Sequence, residues 1–443
     1  MKISPARIAA FEILTKIERE KSFSSVLLPI YEEKLEAKDR ALCHALTLGV
    51  LRKQIYLDRL IERLTNGKKL DAAVRIILRV GLYQLIYLDK IPAHAAINDA
   101  VNLVQASKKT SAKGLVNAVL RRFTREQPIE LKFSDEVERI AVETSHPRWI
   151  VERWIEQFGF EAAKNLAQEN NETPHSVFRL TNKSDENTAE ILKKLGTEIA
   201  ESEIIENAWQ VFGTNEMLRL YADEGKIYFQ DEGSQLVGQA VNLKENESFL
   251  DVCAAPGSKA TYVAMQNAKL KNKKLIVAGD FYEHRVRTLR ANCRQQAASF
   301  IKIVRYDAEK SLPFAEASFD AVLVDAPCSG TGTIRHNPEI RYFLQESDFA
   351  ELSTKQLGIL ENASKLVKRG GRLIYSTCSL EREENEAVAE KFLQENAEFK
   401  TIKPPSAERF ITESGFARTF PQTDKTDGFF VAVFEKKRVF DKV

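Results

Sequence analysis

Cysteine is scarce in this chain. Five are spread over 443 residues, at Cys43, Cys253, Cys293, Cys328 and Cys378. The number is odd and no two form a CxxC pair, which argues against a disulfide framework and a zinc cluster and fits a reducing cytosol. No metal is expected. Long apolar runs are missing too: no stretch approaches the roughly 18 to 20 residues that span a bilayer, so no membrane role is expected. The opening segment, SPARIAAFEILTKIERE, is broken by charge every few positions and does not read as a signal peptide. The localisation expected is cytoplasmic. Two glycine signatures are also absent from the strand-to-helix turns. GxGxxG would mark a dinucleotide site, and GxxxxGK followed by serine or threonine would mark a phosphate-gripping loop.

What is present suits two or three globular domains. The net charge of +2 conceals an asymmetry. Residues 1–127 carry 23 Lys and Arg against 13 Asp and Glu, a net +10, and the remainder carries 42 against 50, a net −8. A basic module joined to a mildly acidic one points to a polyanion partner for the first, although basic helices can equally be solvated faces. Residues 1–127 read as all helix. Ser4-Pro5 opens a stripe of Ile8, Phe11, Ile13, Leu14 and Ile17, and further stripes follow, so the helices must bury their apolar faces against each other in a bundle. Paired Arg121 and Arg122 near its end are either RNA-backbone contacts or a solvated helix end. Residues 128–240 read as a small α+β module, with strands in HSVFRLT and AWQVFG and a helix through ENTAEILKKLG. His146-Pro147 reads as a helix boundary, and Trp149 and Trp154 as packing residues.

Residues 241–443 alternate buried strands with helices, the pattern of an α/β fold with an open, mostly parallel, doubly wound sheet. Ligands in such sheets bind beyond the carboxyl ends of the strands. Asp251, Asp280, Asp307, Asp325, Cys328 and Cys378 all fall at or just past such ends and are expected to line one crevice. The turn DVCAAPGSK (251–259) carries a single glycine and suits a nucleoside-type ligand without a pyrophosphate. Asp280 can accept from ribose hydroxyls, and Asp307 from the exocyclic amine of an adenine. Each acid alone reads more simply as an N-cap or turn residue. Three at equivalent strand ends point to S-adenosylmethionine.

Cys43, Cys253 and Cys293 read as small buried hydrophobes. Cys328 and Cys378 differ, because each sits in a polar loop beyond its strand. Carbon 5 of cytosine is too poor a nucleophile to take a methyl group directly. A thiolate adding to carbon 6 makes carbon 5 an enamine carbon, a carboxyl at the ring's N3 and amino edge stabilises the adduct, and a base must finally remove the carbon 5 proton. Two cysteines and one aspartate fit those tasks, and strand-end position alone does not rank the cysteines.

The segments DVCAAPGSK, DAPCSGTG, YSTCSLEREENE and RTFPQTDKTDGFF resemble the signature motifs of the RNA cytosine-5 methyltransferases (the RsmB/NOL/NSUN family), and the basic front domain resembles a NusB-type RNA-binding bundle. The resemblance extends over essentially the whole chain and implies an S-adenosylmethionine-dependent enzyme acting on 16S rRNA, working as a monomer. It implies that Cys378 is the nucleophile, that Cys328 assists proton removal and product release, that Asp325 holds the base and that Lys259 orders the site. Cofactor contacts would come from Cys253, Ala254, Ala255, Pro256, Gly257, Ser258 and Lys259, with Asp280, Asp307 and Asp325. Ser258 and Ala260 depart from the family, which commonly has glycine and threonine there. Arg335, His336 and Arg341 read either as phosphate contacts beside a flipped base or as charges on a solvent-facing turn. Arg418 and the DGFF segment (427–430) read as a final hairpin with core aromatics. The same chemistry on tRNA, and a catalytically degenerate RNA-binding assembly factor, are the competing readings.

Overall fold

A computed structural model describes residues 3–126, 128–185, 187–213, 216–267 and 275–438. The chain divides into two compact units. One comprises Met1–Thr173 with Ile334–Leu344, the other Pro174–Thr333 with Gln345–Val443.

The first unit is helical throughout. Helices Pro5–Glu20, Ala37–Arg52, Gln54–Thr65, Ala72–Tyr87, Ala93–Ala106 and Lys113–Arg125 each turn one apolar stripe inward, and Ile13, Leu46, Leu57, Ile77, Leu103 and Leu120 form the shared core. Pro5 occupies the first turn, where a missing N–H costs nothing. Arg122 is held by Glu126 at 2.9 Å and donates to the Leu64 carbonyl at 2.9 Å. His146 and Trp154 are packing residues, both fully buried, with ring centroids 5.3 Å apart.

The segment Ile334–Leu344 corrects the expectation for its arginines. Arg335 and Arg341 are neither phosphate contacts nor solvated, being 2% and 0% exposed. Arg341 donates to the carbonyls of Thr144, Ser145 and Asn170 at 3.1, 3.4 and 3.1 Å and to the Asn171 side chain at 3.0 Å. Burial lowers its pKa to about 10. Glu339 accepts from the backbone N–H and hydroxyl of Ser24 at 2.6 and 3.0 Å. These carbonyls end helices and need donors, and a guanidinium supplies several at once.

The second unit holds two sheets. β1 (Ser176–Leu180), β2 (Glu198–Glu201), β3 (Ala208–Phe212) and β4 (Ile227–Phe229) form an antiparallel sheet in the order β2-β3-β1-β4. β1, β3 and the helix Thr188–Lys194 fall where the alternation put them, while β2 and β4 add short edge strands.

The large sheet contains β5 (Phe249–Asp251), β6 (Ile276–Asp280), β7 (Lys302–Arg305), β8 (Phe319–Asp325), β9 (Val367–Thr377), β10 (Phe399–Ile402), β11 (Ala417–Arg418) and β12 (Phe430–Lys436). Its order is β10-β12-β9-β8-β5-β6-β7, with β11 paired to β12. The five strands β9-β8-β5-β6-β7 are parallel, and β12 and β10 run antiparallel at one edge. Val322, Leu323, Val324, Leu373, Ile374 and Tyr375 are fully buried, as strands covered on both faces require. Arg418 and DGFF do form a hairpin-like pair, with Phe429 and Phe430 in the core.

Replacing Arg341 by methionine leaves several buried carbonyls without a donor. The expected result is a loss of about 3–5 kcal/mol from the helical unit, measured by urea unfolding.

Candidate active site

β8 and β9 are parallel neighbours, with Asp325 opposite Ser376. Each strand runs straight into a cysteine-bearing loop, so the register places the loops side by side. The Sγ atoms of Cys328 and Cys378 are 3.3 Å apart, and both residues are half-buried. The hydrogen bond to Cys378, with burial behind it, pushes the Cys328 thiol well above the usual thiol range. The following residues are paired as well, with the hydroxyls of Ser329 and Ser379 at 3.1 Å.

Asp325 stands beside the sulfurs. It accepts from Lys259 Nζ at 2.7 Å and from the Ser376 hydroxyl at 2.8 Å. Lys259 is 8% exposed. Burial opposes its charge, but the Asp325 carboxylate, supported by Cys378 and Asp251, outweighs that and raises its pKa. The Lys259 ammonium also lies over the Phe429 ring, 5.3 Å from its centroid.

The loop 253–257 follows β5 and leads into the helix Ser258–Gln266. Gly257 has φ +106°, and a Cβ there would meet Leu289 Cδ1 at 2.7 Å, so this one position needs glycine. The Ala255–Pro256 peptide is cis. The loop is tied down on several sides: Ala254 N–H donates to the Gly279 carbonyl at 2.7 Å, Ala255 N–H to the Asp280 carboxylate at 3.2 Å, and Arg285 to the Ala255 carbonyl at 2.6 Å. Asp251, Asp280 and Asp307 thus stand at or just past the ends of three adjacent parallel strands. Asp307 is half-buried and accepts from the Glu309 N–H at 3.1 Å, as a turn residue does. Phe281 and Tyr282, just past β6, are 47% and 53% exposed. Cys253 packs half-buried against the core, and Cys43 and Cys293 are buried, as expected of structural thiols.

A cationic nucleoside with an α-amino group fits this set of donors and acceptors. Asp251 is 1% exposed, and neither of its carboxylate oxygens has a hydrogen-bond partner among the described residues. Burial, then repulsion from Asp325, raises its pKa to about 8. An unsatisfied buried carboxyl at the mouth of the loop is ready to hydrogen-bond a ligand's polar groups.

Two functional-looking residues escaped the sequence reasoning. Arg179, in β1, is fully buried and donates to the Ser258 carbonyl at 3.1 Å, to Thr261 at 2.9 Å, to Gln296 at 3.0 Å and to Gln230 at 2.7 Å. It ties the small sheet to the helix carrying Lys259. Glu384 is buried behind the cysteine loops. An arginine inside a strand pattern and a glutamate among other acids give no local signal.

Comparison with known proteins gives the same assignment. Residues 238–435 match the family model described as 16S rRNA methyltransferase RsmB/F. Residues 4–125 match the NusB family, and residues 146–211 the ferredoxin-like domain of RsmF/B-like methyltransferases. A Bacillus subtilis (strain 168) protein named probable ribosomal RNA small subunit methyltransferase B is 34% identical over 99% of this chain and 100% of its own length. The chain belongs to the RsmB/F methyltransferase family. The crystal structure of PH0851 superposes with a TM-score of 0.84 at 27% identity, covering 98% of this chain and all of that one. The NSun6 structure from Pyrococcus horikoshii with SFG shares the fold, with a TM-score of 0.58 at 20% identity over 66% of this chain and 98% of that one.

Asp251 yields a test of its protonation. An exposed aspartate ionises near pH 4, whereas folded Asp251 keeps its proton to about pH 8. Between these values the folded state holds a proton that the unfolded chain has released, so this group's contribution to stability falls as pH rises. Asp251→Asn removes that dependence. In urea unfolding without cofactor, its stability relative to the wild type is expected to rise between about pH 5 and 8. A flat difference would mean that Asp251 is already ionised.

Proposed function

We propose that this enzyme methylates carbon 5 of a cytosine in 16S rRNA through a covalent bond between Cys378 and carbon 6. The observation that carries the reading is the pair of sulfurs 3.3 Å apart beside the Asp325–Lys259 ion pair. One sulfur adds to carbon 6, and a second group must reach the neighbouring carbon 5. The resemblance of the motifs to those of the family implies the first task for Cys378, in the Thr-Cys-Ser turn, and the second for Cys328.

The residues divide the work as follows. Asp325 accepts from the amino edge of the cytosine while Lys259 and Ser376 fix its carboxylate. The two sulfurs lie within hydrogen-bond reach of each other, so a proton can be shared or passed between them when Cys378 attacks. Addition to carbon 6 breaks the ring's 5,6 double bond and makes carbon 5 nucleophilic. Bound S-adenosylmethionine supplies an electrophilic methyl group there. The cofactor would be held by residues 253–259, with Asp280 at the ribose, Asp307 at the adenine amine and Asp325 beside the methyl donor. Once Cys328 has released its own thiol proton to solvent, its thiolate takes the carbon 5 proton, the electron pair of that C–H bond restores the 5,6 double bond, and Cys378 leaves carbon 6 as a thiolate. Lys259, a cation between Asp325 and Cys378, stabilises both negative groups.

The names of the full-length relatives support rRNA over tRNA as the substrate. The basic helical unit supplies the counter-charge for RNA backbone, and the enzyme acts as a monomer in the cytoplasm.

The test is covalent capture. RNA carrying 5-fluorocytidine, with cofactor, is expected to give a stable protein–RNA adduct with the wild type and none with Cys378→Ala; an adduct that survives this substitution removes the nucleophile role from Cys378. Cys328→Ala is expected to accumulate RNA-linked enzyme with ordinary cytosine substrate, seen as a slow-migrating band on denaturing gels, and to lose turnover by on the order of 100-fold or more. Normal turnover would return Cys328 to a structural role.

A further inference from the structure

Beyond Asp325 and Ser376 the sheet ladder between β8 and β9 gives out after one bond, from Ala326 N–H to the Ser376 carbonyl at 2.9 Å. Both cysteines lie past that point, in loops that no longer pair as regular strands. Their alignment comes from polar groups. The Gly332 N–H donates to the Cys378 carbonyl, and the Leu380 N–H to Thr331 Oγ1, each at 2.9 Å. The central contact is made by a single carboxylate. Glu384, fully buried, accepts from the Ser329 N–H at 2.9 Å, from the Ser379 hydroxyl at 2.5 Å, from the Ser329 hydroxyl, and from Gln356 Nε2 at 2.9 Å. Ser329 directly follows Cys328, and Ser379 directly follows Cys378. One side chain therefore binds the residue next to each sulfur.

Its backing is rigid. Gln356, on the helix Glu346–Ser364, also donates to the Pro327 carbonyl at 2.9 Å and accepts from the Tyr375 hydroxyl at 3.1 Å. Tyr375 donates to the Glu384 carbonyl, and Asn385 Nδ2 donates to the Ser379 carbonyl at 2.8 Å. The Glu384 carboxylate is fully buried and engaged by protein donors, so it acts through the loops that it holds.

We propose that Glu384 is the positioning residue that sets the separation of the two cysteine loops, and with it the reach of Cys378 and Cys328 to adjacent ring carbons. The inference rests on the two-cysteine reading above. Placement matters here because a shift of about 1 Å in a reacting group can cost on the order of 100-fold in rate.

The required chemistry is that of an acceptor joining two hydroxyls. Glutamine meets most of it: its oxygen can accept from the Ser329 N–H and Gln356, and its NH2 can donate to the serine hydroxyls, which also carry lone pairs. Alanine meets none of it. Glu384→Ala is therefore expected to lower kcat by on the order of 100-fold, with KM for RNA and the affinity for S-adenosylhomocysteine unchanged. Glu384→Gln is expected to retain kcat within about threefold of the wild type, which a proton-transferring carboxylate would not allow.

A readout without turnover separates positioning from general stability. Oxidised glutathione takes two hydrogens from the Cys328 and Cys378 thiols, forming their disulfide and two reduced glutathiones. The equilibrium constant of that exchange, followed by mass spectrometry of the linked peptides, measures the effective concentration of one sulfur at the other. It is expected to fall about tenfold or more in Glu384→Ala and to stay near the wild-type value in Glu384→Gln. Should Glu384→Ala not fold, Ser379→Ala removes a single arm and is expected to lower the constant by about threefold. A wild-type constant in the folded alanine variant, or in Ser379→Ala, overturns the proposal. An adduct surviving Cys378→Ala would instead overturn the nucleophile assignment, and the exchange constants would be unaffected.

Discussion

The parallel pairing of β8 with β9 is the constraint on which the site depends. Register sets Asp325 against Ser376, and because both strands end within a residue or two of that pair, whatever follows each strand emerges on the same edge of the sheet. A slip of one residue would reverse the faces of every side chain in the strand and separate the two sulfurs. The register is strongly fixed, since Val322 to Val324 and Leu373 to Tyr375 are fully buried and a polar alternative would have to be buried with them. The reactive geometry thus derives from the most deeply packed part of the molecule.

Around that edge the protein buries charge. Asp251, Lys259, Arg179 and Glu384 all lie below 10% exposure. Such groups are costly unless satisfied, and three of them are: Lys259 by Asp325, Arg179 by carbonyl and amide oxygens, Glu384 by serines and a glutamine. Asp251 is the exception, its oxygens without a hydrogen-bond partner among the described residues, and it adjoins the loop read as the cofactor's. The contrast separates polar groups that hold the scaffold from the one left open toward a ligand.

Much of this was legible in the sequence. The α/β alternation after residue 241 was readable because parallel strands buried on both faces are continuous apolar runs, and Asp280, Asp325, Cys328 and Cys378 stood out because such runs stop at them. What escaped notice depends on partners far away in the chain. Glu384 sits in the acid-rich run LEREENE, where nothing local singles it out until Ser329, 55 residues earlier, is placed against it. Arg335 and Arg341 carry the charge of a nucleic-acid contact, yet lie inside the helical unit, Arg335 against Glu169 and Arg341 against carbonyls near residues 144 and 170 that need donors. The short strands β2 and β4 offer too few residues for an alternation to register.

The segment Ile334–Leu344 has a consequence for the ancestry of this architecture. Domains usually spread by end-to-end fusion, each half complete in itself. Here a polypeptide ending at Thr173 would lack Glu339 and Arg341, stranding Ser24 and a set of carbonyls, while one starting at Pro174 would carry the missing piece with nothing to complete. A simple exchange of the front half for another module leaves both products incomplete. The helical half therefore depends on residues that lie only a few positions from Cys328, and any exchange of that half has to carry the segment with it.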